Sequence, residues 1–219
     1  MKKHTESLVT HLKASLDNAK KHISKIPNDS DILNIKGMTS KDTRHFYNNI
    51  LSLELDRPLK YLEVGTWAGS SFISALYKNN TVEAIAIDNW SEVFWAEFGG
   101  AKQQFIQNLN RYLDKSYKFS FIEKDCFTVD LGDNLFDIYM YDGGHEYEDH
   151  LKAITYFKNN LAESSIIIID DWNWNDVRQG TFDGLEEANL TVIHKEEIIT
   201  PKNASPSFWN GMAAFVVEK

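Results

Sequence analysis

The chain has 219 residues and carries 23 lysine and arginine side chains against 32 aspartate and glutamate side chains, a net charge of −9. This length fits one α/β domain with a small extension. The acidic balance argues against general binding to nucleic acid or to an anionic membrane. A single cysteine, Cys126, excludes an internal disulfide, and we see no signal peptide or membrane span, so we expect a cytoplasmic protein.

The first 58 residues are typical of a helical extension. Apolar side chains recur at helical spacing over residues 5–26, which predicts an amphipathic helix. A second helix is predicted after Thr39 or Ser40, either of which can serve as its N-cap. We therefore expect residues 1–58 to cover the site of a domain that spans residues 59–219. These helices are also where we expect any homo-oligomer contact.

A strand, a glycine turn and a helix are predicted at residues 61–76, YLEVGTWAGSSFISAL. The short apolar run turns at Gly65 and Gly69 and continues with apolar residues at helical spacing. Such a unit begins a doubly wound α/β domain, and its glycines let a ligand approach the backbone. The spacing is G-x-x-x-G, whereas dinucleotide-binding domains have G-x-G-x-x-G.

Two acidic residues next to this unit point to a cofactor. Glu63 lies two places before Gly65, and a carboxylate there suits a cationic ligand better than a pyrophosphate. Asp88 ends the next apolar run, AIAID, where an acid can accept hydrogen bonds from ribose hydroxyls. S-adenosylmethionine combines a cationic head with a ribose, so these residues predict it as the ligand. The alternative is a glycine turn that only packs the helix against the strand.

The rest of the chain predicts five further strands and three helices. The strands are expected at residues 118–122, 136–142, 165–171, 190–199 and 212–217. The helices are expected at residues 91–113 with a break at Gly99-Gly100, after Gly143-Gly144, and near residues 177–188. Only a short loop separates the last two strands, which can therefore pair antiparallel. The predicted fold is α/β: a Rossmann-like, doubly wound, seven-stranded sheet with an antiparallel hairpin at its carboxyl end.

Four stretches resemble the motifs of class I S-adenosylmethionine-dependent methyltransferases. These are YLEVGTWAGSS, AIAIDNW, FDIYMYDGGHEYEDH and IIIIDDW, and the resemblance covers residues 59–218. The combined pattern is similar to small-molecule O-methyltransferases of the catechol and macrocin type. The resemblance implies O-methylation of a small hydroxylated molecule, which would be the partner of the chain.

The resemblance also implies a cofactor site built from strand ends and one amino-terminal loop. Its members would be Met38, Glu63, Gly65, Trp67, Gly69, Ser70, Ser71, Asp88, Asn89, Trp90, Asp125, Cys126 and Asp142. Asp88 would hold the ribose, and Asp125 with the Cys126 backbone N–H would lie at the adenine. Ser70 and Ser71 could donate hydrogen bonds to the methionine carboxylate at a helix N-terminus.

Three carboxylates raise the question of a metal ion. Metal-dependent relatives place one acid at the end of the fourth strand and an acidic pair at the end of the fifth, which here are Asp142, Asp170 and Asp171. Three carboxylate oxygens, water and substrate oxygens suit Mg²⁺ or another divalent cation. The alternative is that these aspartates cap turns and bond to the backbone.

His145 lies three residues after Asp142, at the spacing where the catechol-type enzymes have a lysine base. A histidine can take a hydroxyl proton at neutral pH. The alternative is a structural histidine at the start of a helix.

Five tryptophans lie at or after predicted strand ends and could either stack a planar substrate or pack the loops: Trp67, Trp90, Trp95, Trp172 and Trp174. Arg178 could pair with a substrate anion or a nearby carboxylate. Two other functions stay open at this point. One is a non-catalytic protein that binds the cofactor on the same fold. The other is an NAD-dependent oxidoreductase, against which Glu63 and the missing G-x-G-x-x-G count.

Overall fold

The computed structural model describes residues 3–91 and 100–219. Six helices and seven strands are defined in this part of the chain. In order they are α1 (Lys3–Ala19), α2 (Lys41–Ile50), β1 (Lys60–Val64), α3 (Ser70–Leu76), β2 (Glu83–Asp88), α4 (Ala101–Tyr112), β3 (Lys118–Glu123), β4 (Phe136–Tyr141), α5 (Tyr147–Phe157), β5 (Leu161–Asp170), α6 (Asn175–Glu187), β6 (Thr191–Ile198) and β7 (Met212–Glu218). Trp95 and the first part of the helix predicted at residues 91–113 lie outside the described residues.

The seven strands form one sheet in the order β3-β2-β1-β4-β5-β7-β6. The strands from β1 to β5 are parallel, and β7 runs antiparallel to both β5 and β6. Parallel neighbours need long crossovers, which the helices supply, whereas the loop between β6 and β7 is short enough for a hairpin. The predicted doubly wound sheet with a final antiparallel hairpin is confirmed.

The sheet is covered on both faces. In β5, Ile166 and Ile168 belong to one hydrophobic cluster, while Ile167 and Ile169 belong to the other. Successive side chains of a strand point to opposite faces, so a continuous isoleucine run marks a strand that is buried on both sides. Residues of α1, α2, α3 and α4 pack on the first face, and residues of α5 and α6 pack on the second.

The first helix is shorter than predicted, because it ends at Ala19 and not near residue 26. Leu8, Leu12 and Leu16 are buried as the helical spacing predicts. The chain then turns, and His22 adopts a φ of 54° and contacts Asp42 through its ring nitrogen. Helical spacing no longer applies beyond this turn, which is why Ile23 is 54% exposed although it fell on the predicted apolar stripe.

The amino-terminal helices share a hydrophobic core with the sheet. Leu12 of α1 and Phe46 of α2 lie in the same buried cluster as Ile168 of β5. The division proposed at residue 58 stays a prediction, since the packing is continuous across it. Within the described residues, every helix is too short or too polar to cross a bilayer.

Candidate active site

The strand order reverses between β1 and β4, which are neighbours in the sheet although β2 and β3 intervene in the chain. In open α/β sheets, ligands bind at such a switch point, at the carboxyl ends of the strands. Gly65 follows β1 with a φ of 86°, and a Cβ there would lie 1.8 Å from the Asp142 carbonyl oxygen. The two strand ends are therefore in backbone contact, which only glycine permits at this position.

Glu63 is fully buried beneath this contact. One of its oxygens accepts a hydrogen bond from the Tyr61 hydroxyl at 2.5 Å, and the other accepts one from the Ser71 hydroxyl at 2.6 Å. Burial raises the pKa of Glu63 to about 7, against the opposing effect of the two hydroxyls. Glu63 thus joins β1 to α3, and the Ser71 hydroxyl is directed to it.

Asp88 links the loops that follow β1 and β2. Its two oxygens accept hydrogen bonds from the backbone N–H groups of Trp67 and Trp90, each at 2.7 Å. Both tryptophans have positive φ, 42° and 46°, and the Trp90 indole N–H donates to the Trp67 carbonyl at 2.8 Å. These bonds fix Asp88 at the edge of the site, and its predicted role toward a ribose stays a prediction.

The amino-terminal loop reaches the site at Ser70. A Cβ at Gly37 would lie 2.6 Å from the Ser70 Cβ, so the loop around Gly37 packs closely against the start of α3. Met38, next to Gly37, is exposed. The Ser70 hydroxyl accepts a hydrogen bond of 2.9 Å from Nε of Arg44, a buried residue of α2. The structure thus places Gly69, Ser70 and the loop around Met38 together.

The residues predicted near the adenine lie farther along the same edge. Asp125 follows β3 and accepts a hydrogen bond from the Phe127 N–H at 2.9 Å, at the start of a single helical turn. Burial raises the pKa of the Cys126 thiol to about 12, so the thiol is neutral. Asn89 is exposed, and its side chain accepts hydrogen bonds from Ser91.

Asp142 and Asp170 end the neighbouring strands β4 and β5. Burial, and then the neighbouring carboxylates, raise the pKa of both side chains well above the usual range. Asp170 is 5% exposed, and its Oδ1 has no hydrogen-bond partner among the described residues. The carboxyl groups at this corner therefore resist ionisation unless a proton or a cation compensates them.

His145 lies at this corner and pairs with Asp171. Its Nε2 is 2.8 Å from Oδ2 of Asp171, while Oδ1 of Asp171 accepts a hydrogen bond of 2.6 Å from Asn210. The His145 ring contacts the Trp174 ring edge-on at a centroid distance of 4.5 Å. An open cavity of about 510 Å³ adjoins this pair and is lined by His145, Glu146, Asn173, Trp174, Asn175 and Asp176.

Among the described residues, three potential metal-ligand groups come together: Asp142, His145 and Asp171, each with one ligand atom within 4.8 Å of the others. This set differs from the predicted metal set, because His145 belongs to it and Asp170 lies beside it. Asp171 has a φ of 57°, and this bend just after β5 turns the backbone at Asp171 away from the strand.

Other strand-end side chains make contacts within the protein. Trp172 is completely buried, and its indole N–H donates to Glu197 at 3.1 Å. Trp90 packs against Phe105. Arg178 donates to the carbonyl oxygens of Trp172 and Asn173 and so fixes the loop after β5. Among the aromatic residues considered for stacking a substrate that the structure describes, Trp174 lines the cavity.

Several buried polar atoms around this end of the sheet have no partner among residues 3–91 and 100–219. They are Thr39 Oγ1, the Tyr47 hydroxyl, Thr66 Oγ1 and Asp170 Oδ1. Buried polar groups are normally hydrogen-bonded, so these atoms are open to a polar ligand or to water. Burial raises the pKa of Tyr47, and the charges of Asp170 and Asp142 add to the effect.

Three further polar residues near the site, Tyr47, Arg44 and Asn210, were not predicted from the sequence. Tyr47 and Arg44 lie on α2, where every residue from Thr43 to Ile50 is buried. The apolar pattern of that helix indicates only one buried face, so it gave no reason to expect polar side chains directed at the site.

The comparisons with known proteins agree with this geometry. A family model described as a methyltransferase domain matches residues 62–172, just over half of the chain. No curated protein matches the sequence. The match spans β1, the glycine turn and every strand end described above up to Trp172.

Solved structures share the fold at 14% sequence identity. A candidate O-methyltransferase from Klebsiella pneumoniae superposes with a TM-score of 0.59, covering 95% of this chain and 90% of that one. A candidate caffeoyl-CoA O-methyltransferase from Staphylococcus aureus gives 0.53, with 94% and 91% covered. The 1,6-didemethyltoxoflavin-N1-methyltransferase from Burkholderia thailandensis, solved with 1,6-didemethyltoxoflavin and S-adenosylhomocysteine, gives 0.52, with 81% and 78% covered. These similarities confirm the predicted fold.

Proposed function

The chain belongs to the class I S-adenosylmethionine-dependent methyltransferases, and we propose that it methylates a hydroxyl oxygen of a small molecule. The observation that carries the choice of acceptor is the His145–Asp171 pair beside an open cavity, next to the strand ends that are predicted to hold the cofactor. A hydroxyl group must lose its proton when its oxygen is methylated, so the acceptor site needs a base. The match to a methyltransferase family model argues against the alternative of an NAD-dependent oxidoreductase.

In this proposal His145 takes the hydroxyl proton, and Asp171 orients the ring. With Nε2–H donating to Asp171, Nδ1 carries the lone pair that accepts the proton. Asn210 holds the second oxygen of Asp171, so the carboxylate is fixed. Bound S-adenosylmethionine supplies the methyl group, and the chain contributes mainly the in-line placement of the acceptor oxygen.

The test compares two histidine variants. His145→Ala should lower kcat by roughly 100-fold or more, the usual contribution of a positioned base, without changing the affinity for S-adenosylhomocysteine. His194→Ala is the control, because His194 also pairs with an acidic residue, Glu196, but lies on β6. Methyl transfer would be followed against a panel of hydroxylated compounds. An unchanged kcat in His145→Ala would overturn the base assignment, and cofactor binding without turnover would favour the non-catalytic alternative.

A divalent cation is the second arrangement that these side chains fit. The ligand atoms of Asp142, His145 and Asp171 lie within 4.8 Å of one another, and two ligands about 2.1 Å from one ion are separated by at most about 4.2 Å. Small side-chain movements would therefore let them share an ion. Bound Mg²⁺ or another divalent cation would acidify the acceptor hydroxyl. Coordination of the ion by His145 Nε2 would replace its contact with Asp171, whereas coordination by Nδ1 would leave that contact in place.

Metal titration separates the two arrangements. If a cation is used, MgCl₂ or MnCl₂ should raise the melting temperature of the wild type, and Asp171→Asn should remove this increase while leaving S-adenosylhomocysteine affinity unchanged. Asp176→Asn is the control, since Asp176 lines the same cavity outside the three-residue group. Full activity in EDTA together with an unchanged melting temperature would leave His145 as an unassisted base.

The proposal includes a small molecule as the partner and a reducing, cytoplasmic setting. The net charge of −9 disfavours nucleic acid as the substrate, and the single cysteine needs no oxidising compartment. A homo-oligomer formed through the amino-terminal helices stays a prediction, which analytical ultracentrifugation would test.

A further inference from the structure

Arg44 of α2 is a buried cation whose partners are all neutral. The residue is 5% exposed. Its guanidinium donates to the carbonyl oxygens of Leu33 and Ile35, and its Nε donates to the Ser70 hydroxyl at 2.9 Å. Within residues 3–91 and 100–219, no carboxylate pairs with it. Burying a charge without an opposite charge is costly, so this position calls for an anion.

Burial lowers the pKa of Arg44 to about 10, which still leaves the side chain charged at neutral pH. A positive charge is thus held beside the glycine turn after β1. The Ser70 oxygen accepts from Arg44, so the Ser70 hydroxyl proton is directed elsewhere, and no described residue accepts it. Thr39, whose Oγ1 is buried without a partner, lies on the same side of Ser70, next to Gly37.

Tyr47 lies three residues after Arg44, so the two side chains share one face of α2. Tyr47 is near enough to the Asp170 and Asp142 carboxylates for their charges to raise its pKa, and its buried hydroxyl has no hydrogen-bond partner among the described residues. Along this face, a cation is therefore followed by two carboxylates. An α-amino acid has the complementary arrangement, with a carboxylate and an ammonium group on one carbon.

We propose that Arg44, acting through Ser70, binds the carboxylate of the methionine part of S-adenosylmethionine. Arg44 is then a positioning residue, contributed by the amino-terminal extension, outside the matched residues 62–172. It polarises the Ser70 hydroxyl, which makes the direct contact, and it supplies the opposite charge for the anion. The inference rests on the proposed cofactor and not on the identity of the methyl acceptor.

The test uses two ligands that differ in the amino-acid part. S-adenosylhomocysteine has the carboxylate, and 5′-methylthioadenosine keeps the adenosine and the sulfur without it. In calorimetry on the full chain, Arg44→Met should lower the affinity for S-adenosylhomocysteine by about tenfold or more. The affinity for 5′-methylthioadenosine should change by less than about twofold. Arg44→Lys, which keeps the charge, should retain part of the selectivity.

Arg57→Met is the control, because Arg57 pairs with Asp137 at the opposite end of the sheet. It should leave the affinity ratio of the two ligands unchanged. Should Arg44→Met fail to fold, Ser70→Ala carries the same test, with an expected loss of about fivefold for S-adenosylhomocysteine alone.

Equal weakening of both ligands in Arg44→Met or Ser70→Ala would mean a structural role and would overturn the inference. An unchanged affinity for S-adenosylhomocysteine would overturn it too. Failure of the wild type to bind either ligand is a different result, since it would refute the cofactor and with it the proposed function.

Discussion

The two ends of strand β4 carry the same residue type in opposite surroundings. At the amino end, both oxygens of the buried Asp137 accept hydrogen bonds from Arg57, at 2.7 and 2.6 Å, and the Lys60 N–H adds a third at 2.9 Å. At the carboxyl end, Asp142 is near Asp170 and Asp171, and burial with these charges raises its pKa.

The difference shows how the fold separates stability from function. The amino-end carboxylate is satisfied by the chain itself, so it holds two segments together. The carboxyl-end carboxylate needs a proton, a cation or a ligand to become equally favourable. Unsatisfied polar atoms of Tyr47 and Asp170 lie at the same end. The polar and acidic groups that lack partners within the fold are thus concentrated at the end of the sheet where a ligand can bind.

The largest expected effect on stability comes from substituting a glycine near one end of β4 and comparing it with a glycine near the other end. Gly65 and Gly132 both have positive φ, 86° and 55°, and lie near opposite ends of β4. A Cβ at Gly65 would lie 1.8 Å from the Asp142 carbonyl oxygen, whereas a Cβ at Gly132 has nothing within 4 Å. Gly65→Ala should therefore cost about 4 kcal/mol or prevent folding, and Gly132→Ala only about 1 kcal/mol of backbone strain.

Urea unfolding of the two variants gives the free energies, and S-adenosylhomocysteine titration gives the affinities. Gly65→Ala should bind no cofactor, while Gly132→Ala should bind it like the wild type. Similar losses of stability in both variants would show that the positive φ alone determines the cost. That result would contradict the close contact between Gly65 and the Asp142 carbonyl oxygen.

The second prediction concerns Glu63 and pH. Its pKa is raised from 4.5 in the unfolded chain to about 7 in the folded one, chiefly by burial. Between these values the folded form keeps a proton that the unfolded form has released, so stability falls as pH rises through the window. The slope is about 1.4 kcal/mol per pH unit, about 3 kcal/mol in all.

Glu63→Gln should reduce the loss of stability between pH 4.5 and pH 7.5 by about this 3 kcal/mol, measured by urea unfolding at each pH. Asp142 and Asp170 shift in the same direction, so part of the slope remains. Glu186→Gln, an exposed change on α6, is the control and should keep the wild-type slope. A steeper slope in Glu63→Gln would mean that the buried carboxyl is ionised and stabilising.

Much of the fold could be predicted because its signals are local. The isoleucine run of β5 predicts a strand buried on two faces, and aspartates or glycines mark where the parallel strands end. The strand β5 nevertheless begins at Leu161, earlier than predicted, because Leu161 pairs with Phe136 across an irregularity in the register. Apolar patterns do not reveal such a pairing.

The candidate site was predicted less completely, since it depends on directions that spacing does not give. Asp171 leaves the strand with positive φ and meets His145, whereas Asp170 stays in the strand. The sequence placed these three residues at one edge but could not tell which two would pair. Arg44 shows the same limit, because only packing between α2 and the loop before it brings its guanidinium to Ser70.

The last and smallest expected effects are those of replacing Asp137 and Asp142, at the two ends of β4, by asparagine. Asp137→Asn loses a charge-assisted pair with Arg57, whose side chain is 53% exposed, so the variant should lose only about 1 kcal/mol of stability. Asp142→Asn removes a carboxylate that its neighbours repel, so at pH 8 it should be neutral or gain up to about 1 kcal/mol.

The two variants should differ in activity in the opposite way to their stability: the less stable variant should keep its activity, and the more stable one should lose it. Asp137→Asn should keep wild-type kcat and cofactor affinity, because Asp137 lies at the end of the sheet away from the site. Asp142→Asn should lose most of its methyl transfer, because Asp142 belongs to the same group of side chains as His145 and Asp171 and its backbone contacts Gly65. Denaturant unfolding and kinetics on the two proteins give all four values. A destabilised Asp142→Asn would mean that this carboxylate is satisfied within the fold, and the contrast between the two ends of β4 would then be wrong.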